Sequence, residues 1–126
     1  MIGLVVVSHS RKAAEGICEL AREMGGEAPL KAAGGDGDEG IGTDAERIGE
    51  AISAADEGDG VVVLVDLGSA VMNAELAIEM TEANARIADA PILEGALNAA
   101  VEATNEKATV DSVLEKAEDA REYRKR

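Results

Sequence analysis

Ile2-Gly3-Leu4-Val5-Val6-Val7-Ser8-His9-Ser10 is the stretch that decides the fold. A continuous apolar run of this kind suits a strand buried on both faces, as at the centre of a parallel sheet. The run stops at a small polar residue, and the next residue, His9, is the only histidine in the 126-residue chain. From Arg11 to Met24, the residues Ala13, Ala14, Ile17, Leu20, Ala21 and Met24 recur at the spacing of one helical stripe. Gly25-Gly26 then stop that helix. His9 is therefore expected in a turn between the C-terminal end of a buried strand and a helix N-terminus. In open α/β sheets, ligands and chemistry gather at that edge.

The same signal returns at Gly60-Val61-Val62-Val63-Leu64-Val65-Asp66, a second central strand that ends on a carboxylate. Leu67-Gly68-Ser69 make its turn. A third helix is expected from Ala70 to about Asn84, apolar on so much of its surface that a subunit contact is expected there. Between the two long runs, Leu30 to Ala33 reads as a short strand. Thr43 is expected to open the second helix as its N-cap, with Glu46 completing a capping box and Ala45, Ile48, Ile52 and Ala55 turned inward. Arg86 to Ala90 reads as a weak fourth strand. Pro91 opens the fourth helix and Thr109 caps a fifth, leaving Arg121 to Arg126 as a frayed basic tail.

Strands alternating with helices predict one α/β domain over residues 1–126. The expected form is an open, doubly wound, mainly parallel sheet of four strands with helices on both faces. In the order 2-1-3-4 the winding reverses between the first and third strands. The loops carrying His9 and Asp66 then become neighbours.

The chain has no Phe or Trp and one Tyr, so Val, Ile, Leu, Met and Ala must fill the core by close packing rather than bulk. With 26 acidic residues against 12 basic, the net charge is −14. That balance argues against nucleic-acid binding and fits a surface adapted to a salt-rich cytoplasm, where charge repulsion is screened within ~3 Å at 1 M salt. A single cysteine, Cys18, permits neither an intrachain disulfide nor a cysteine metal cluster, and is expected to be a small buried hydrophobe. No apolar run is long enough to span a bilayer, and no basic leader precedes the first strand. A soluble cytoplasmic protein is expected.

Five glycines fall among residues 34–42, which read as a loop. Its acids lack the alternate ligand positions and terminal Glu of a calcium loop. A phosphate-binding G-x-x-x-x-G-K-[ST] pattern is also missing, so neither nucleotide nor metal is expected, and no cofactor.

His9 is expected to be a phosphoryl-accepting nucleophile. Its unperturbed pKa near 6.5 leaves a ring nitrogen free near neutral pH. Phosphoryl transfer asks the protein mainly for positioning and for stabilisation of three equatorial oxygens. Backbone N–H groups at helix starts can provide that without net positive charge. Gly68, Ser69, Ser10 and Thr43 are the candidate phosphate-binding residues. Asp66 is the candidate orienter, taking one imidazole N–H so that the other nitrogen can attack. Other roles fit the same positions. His9 could merely close a strand end, Asp66 could cap the third helix, and Thr43 could be a cap alone.

Taken together, Val7-Ser8-His9-Ser10, Glu15-Gly16, Glu19-Leu20-Ala21, Ala32-Ala33-Gly34-Gly35, Gly42-Thr43-Asp44-Ala45, Asp66-Leu67-Gly68-Ser69-Ala70 and Ala90-Pro91-Ile92-Leu93-Glu94-Gly95-Ala96 resemble a family. It is the phosphotransferase subunit (DhaM type) of phosphoenolpyruvate-dependent dihydroxyacetone kinase, itself similar to mannose-type IIA domains of the bacterial sugar phosphotransferase system. The likeness runs to about residue 104. It implies that His9 takes phosphate from the phosphocarrier protein HPr, charged from phosphoenolpyruvate through enzyme I. It further implies delivery to ADP on the kinase L subunit, with Asp66 as acidic partner of His9 and the protein a homodimer. Some members continue into fused HPr-like and enzyme I-like domains. This chain stops after one domain, so separate donors are expected. The first alternative is a IIA component of a sugar transporter, which shares the fold and the histidine; the second is a non-catalytic α/β interaction module.

Overall fold

The computed structural model describes residues 1–126. Gly3–Ser8 forms strand β1, buried along its whole length. It is followed by helix α1 (Arg11–Met24), β2 (Leu30–Gly34), α2 (Ala45–Ala55), β3 (Val61–Val65), α3 (Gly68–Glu79), β4 (Ala85–Ile87), α4 (Ile92–Ala103) and α5 (Val110–Asp119). The four strands pair in the order β2-β1-β3-β4, all parallel, as the alternating pattern predicts. Register sets Ser8 beside Gly34 and Val7 beside Val65, so the strands carrying His9 and Asp66 end together.

The unbroken apolar runs serve two layers at once. Leu4 and Val6 of β1, with Val62 and Leu64 of β3, join Ala14, Cys18 and Ala21 of α1 and the inner faces of α4 and α5. Val5, Val7, Val61 and Val63 point the other way, against Ile48 and Ile52 of α2 and Ala70, Ala74 and Ala77 of α3. Side chains alternate along a strand, so every residue of the run is used. The facing helices present mainly alanine, which lets backbones approach closely in place of aromatic bulk. At Gly34 a Cβ would lie 2.6 Å from the Arg11 Cα. Here the end of β2 and the start of α1 touch through backbone, right behind His9.

Several boundaries differ from the sequence reading. Asp44, not Thr43, caps α2, its carboxylate accepting from the Glu46 N–H at 2.9 Å. The α3 helix starts earlier, at Gly68, and ends at Glu79 rather than near Asn84. The Thr81 hydroxyl donates to the Ile78 carbonyl, and the Asn84 carbonyl already accepts from Val61 in the sheet. The strand β4 is shorter than the sequence reading, beginning at Ala85 and stopping at Ile87; the next N–H, Ala88, still reaches Val63, but that of Asp89 turns to Glu118. In α1 the buried face is Ala14, Cys18 and Ala21, while Leu20 and Met24 are exposed. The basic tail is tied back rather than frayed: the Tyr123 hydroxyl accepts from Asn98 at 2.8 Å, and Lys125 pairs with Glu94 at 2.7 Å. No helix is long and apolar enough to cross a membrane.

Candidate active site

His9 follows β1 directly, and two side chains hold its ring. Nδ1 lies 2.9 Å from Asp66 Oδ1, and Nε2 lies 2.9 Å from Ser69 Oγ. Asp66 arrives from the end of β3, where its N–H donates to the Val7 carbonyl at 3.2 Å and continues the pairing with β1 one step past the strand. Its second oxygen, Oδ2, accepts from the His9 backbone N–H at 3.0 Å and from the Ser8 hydroxyl at 2.9 Å. The ring and the carboxylate are about a fifth exposed, 23% and 21%. Both are held by protein, and a reactant can still reach them.

Partial burial pushes the Asp66 carboxyl upward, but the hydrogen bonds from the His9 N–H, the His9 ring and Ser8 outweigh it. The net result lies below the ordinary carboxylate value. An ionised Asp66 requires a hydrogen on Nδ1, since a carboxylate only accepts. Nε2 then carries the bare lone pair and accepts from the Ser69 hydroxyl.

The alternative of Asp66 as a helix cap does not hold: the residue at the N-cap of α3 is Leu67, and no side chain caps that helix. The N–H groups of Gly68 and Ser69 begin the helix without a cap partner. Ser10 also has a local structural task. Its hydroxyl accepts from the Ala13 N–H at 3.2 Å and caps α1. Thr43 is brought near by its neighbour, since the Gly42 N–H donates to the His9 carbonyl at 2.9 Å. The Thr43 hydroxyl accepts from Asn73 Nδ2 at 2.7 Å. The sequence reading missed Asn73. Its spacing supplied a signal, one turn beyond Ser69 on the same helix face.

The glycine-rich loop closes the other side of the site. The Gly35 N–H donates to the Ser8 carbonyl, and Asp36 Oδ1 accepts from the N–H groups of Asp38 and Gly40. Those bonds hold the Asp36 carboxyl below its usual range. They also turn it to the loop's own backbone, and no group of three or more His, Cys, Asp or Glu side chains assembles that could hold a metal ion.

Residues 3–114 match the EIIA-man family model, described as the PTS system fructose IIA component. The chain belongs to the EIIA-man family. Among its relatives is the phosphoryl donor subunit DhaM of the PEP-dependent dihydroxyacetone kinase of Escherichia coli, 42% identical over 122 residues. The alignment covers 90% of this chain and 26% of that protein. The chain thus spans about a quarter of the length of the enterobacterial relatives it matches. The DhaM subunit of PEP-dependent dihydroxyacetone kinase 2 from Listeria innocua is 38% identical over 107 residues, covering 81% of this chain and 86% of that protein. Among solved structures, the crystal structure of a protein of unknown function matches with a TM-score of 0.79 at 32% identity over 95% of each chain.

In this EIIA-man chain, the arrangement can present one unprotonated imidazole nitrogen to an electrophile. It can neutralise charge arising on the ring through Asp66, and it offers hydroxyl and amide donors beside the attacking atom.

Proposed function

We propose that this protein is a cytoplasmic phosphocarrier that accepts a phosphoryl group on His9 from HPr, charged ultimately from phosphoenolpyruvate. It passes the group to ADP held on the L subunit of dihydroxyacetone kinase. The observation that carries this reading is the bracketing of one imidazole, with Asp66 on Nδ1 and Ser69 on Nε2, each at 2.9 Å. In acceptance, the N–P bond of the donor phosphohistidine breaks as the Nε2–P bond forms. The Nδ1 hydrogen stays on the ring, held by Asp66, and no electrons change hands. Ser69 releases Nε2 and, with the Gly68 and Ser69 amides and the Thr43 hydroxyl, donates to the phosphoryl oxygens. Ser10 contributes as the cap that fixes the start of α1. Transfer to ADP is the same exchange in reverse, with a β-phosphate oxygen forming the new bond.

Relatives named as DhaM subunits support the kinase as recipient. A second reading, delivery to a sugar-transporter component, is favoured by the description of the family model as a fructose IIA component. Mixing the phosphorylated protein with each acceptor separates them. The kinase L subunit with ADP should discharge it rapidly and yield ATP, whereas discharge only to a transporter IIB domain would overturn the kinase assignment. Two copies are proposed to pair through α3, where Met72, Leu76 and Met80 form an exposed apolar stripe opposite the buried alanines.

A further inference from the structure

Ser8 is the only buried polar side chain in the molecule, 2% exposed. Its two hydrogen bonds have directions that can be read without seeing a hydrogen. The Ser10 backbone N–H can only donate, and it lies 3.0 Å from Ser8 Oγ, so it occupies a lone pair there. The Ser8 hydroxyl hydrogen must then go to Asp66 Oδ2, at 2.9 Å. That oxygen also takes the His9 backbone N–H at 3.0 Å. With two donors on Oδ2, a carboxyl proton has no place there, and the carboxylate is turned so that Oδ1 meets the ring at Nδ1. Donation therefore converges on Asp66, from the Ser10 amide through Ser8 on one side and from the ring's Nδ1 hydrogen on the other, which leaves the lone pair on Nε2.

We propose that Ser8 is a positioning residue for His9: its hydroxyl, oriented by the Ser10 amide, locks Asp66 and thereby holds the ring in the form with hydrogen on Nδ1 and Nε2 bare. Its consequence for phosphoryl transfer rests on the function proposed above; the ring geometry does not. In metal-bound histidines an outer partner of this type fixes the tautomer, and losing one typically costs about 10- to 100-fold; a loss of the same order is expected at His9. Ser8 touches no reacting atom and acts only through Asp66. It stands on the last residue of β1, in register with Gly34.

The test uses the full chain, uniformly labelled with nitrogen-15, at a pH where the ring is neutral. Wild-type protein should show a single ring tautomer, with the pyridine-type signal on Nε2. Ser8→Ala should show a mixture, and its rate of phosphoryl acceptance should fall about 10-fold. Ser8→Thr, which keeps the hydroxyl, should restore both. Ser8→Cys fills nearly the same space with a weaker donor and should give an intermediate mixture, so it decides the matter even if the alanine variant does not fold. Wild-type tautomer ratios in the alanine or the cysteine variant would overturn the proposal, as would a threonine variant no better than alanine. The ring spectra need no phosphoryl donor. A wild type that takes no phosphate ends the functional reading, while a tautomer shift in Ser8→Ala still upholds the role of Ser8.

Discussion

Asp66 shows how one side chain joins stability to chemistry. It is partly buried, yet three donors keep it ionised to a lower pH than an exposed carboxylate. Its folded pKa lies below its unfolded value of about 3.9, so its contribution to stability is fully present above that value. The contribution is lost as pH falls through the lower folded pKa. Asp66→Ala leaves the Ser8 hydroxyl and the His9 N–H without an acceptor and should cost about 1–3 kcal/mol near neutral pH. The gap from wild type should shrink on acidification below pH ~4, as chemical denaturation followed across pH would show. The fold should survive, while phosphorylation slows by about 100-fold or more, since the ring loses its orienter. Cys18 makes a contrasting case. Burial in the α1 layer pushes its thiol up to about 11, so a thiol reagent at pH 8 should leave the native protein unlabelled and react only after denaturant is added.

The elements were legible in the sequence to the degree that their signals were local and repeated. The two valine runs announced buried central strands, and the residues ending them, His9 and Asp66, do meet across the switch in strand order. Boundaries were less legible wherever two local signals competed. Thr43 and Asp44 are both good caps, and a neighbour distant in sequence, Asn73, takes the Thr43 hydroxyl and leaves Asp44 to cap α2. The tail looked frayed because its partners, Asn98 and Glu94, lie on another helix. Asn73 offered only its spacing from Ser69, and the proton-directing role of Ser8 offered no signal, because each depends on a contact with a residue far along the chain. Gly34 tests the packing of these elements. A Cβ there meets Arg11 backbone, which cannot give way like a flexible side chain. Gly34→Ala should therefore cost about 1–3 kcal/mol in a denaturant melt. It should also slow phosphoryl acceptance by displacing the start of α1 behind His9.

At the scale of the whole molecule, a charge of −14 on 126 residues must be accommodated by a core built from small side chains. Seven of the eight ion pairs are largely exposed or involve the chain terminus or flexible side chains, and such pairs add little. Self-repulsion then acts against a modest hydrophobic gain, and screening should relieve it. We propose that the surface is adapted to high salt. Melting temperature should rise steadily from low to molar potassium chloride, and a flat profile would refute that adaptation. Hydroxyl and amide donors at the proposed site suit this acidity, because such groups can hold an anion locally where the overall field is repulsive. The most direct measurement is incubation with enzyme I, HPr and labelled phosphoenolpyruvate, followed by mapping of acid-labile phosphate. The account predicts one label per chain, on Nε2 of His9, and none on His9→Ala; label retained by that variant, or a wild type that takes none, would contradict it.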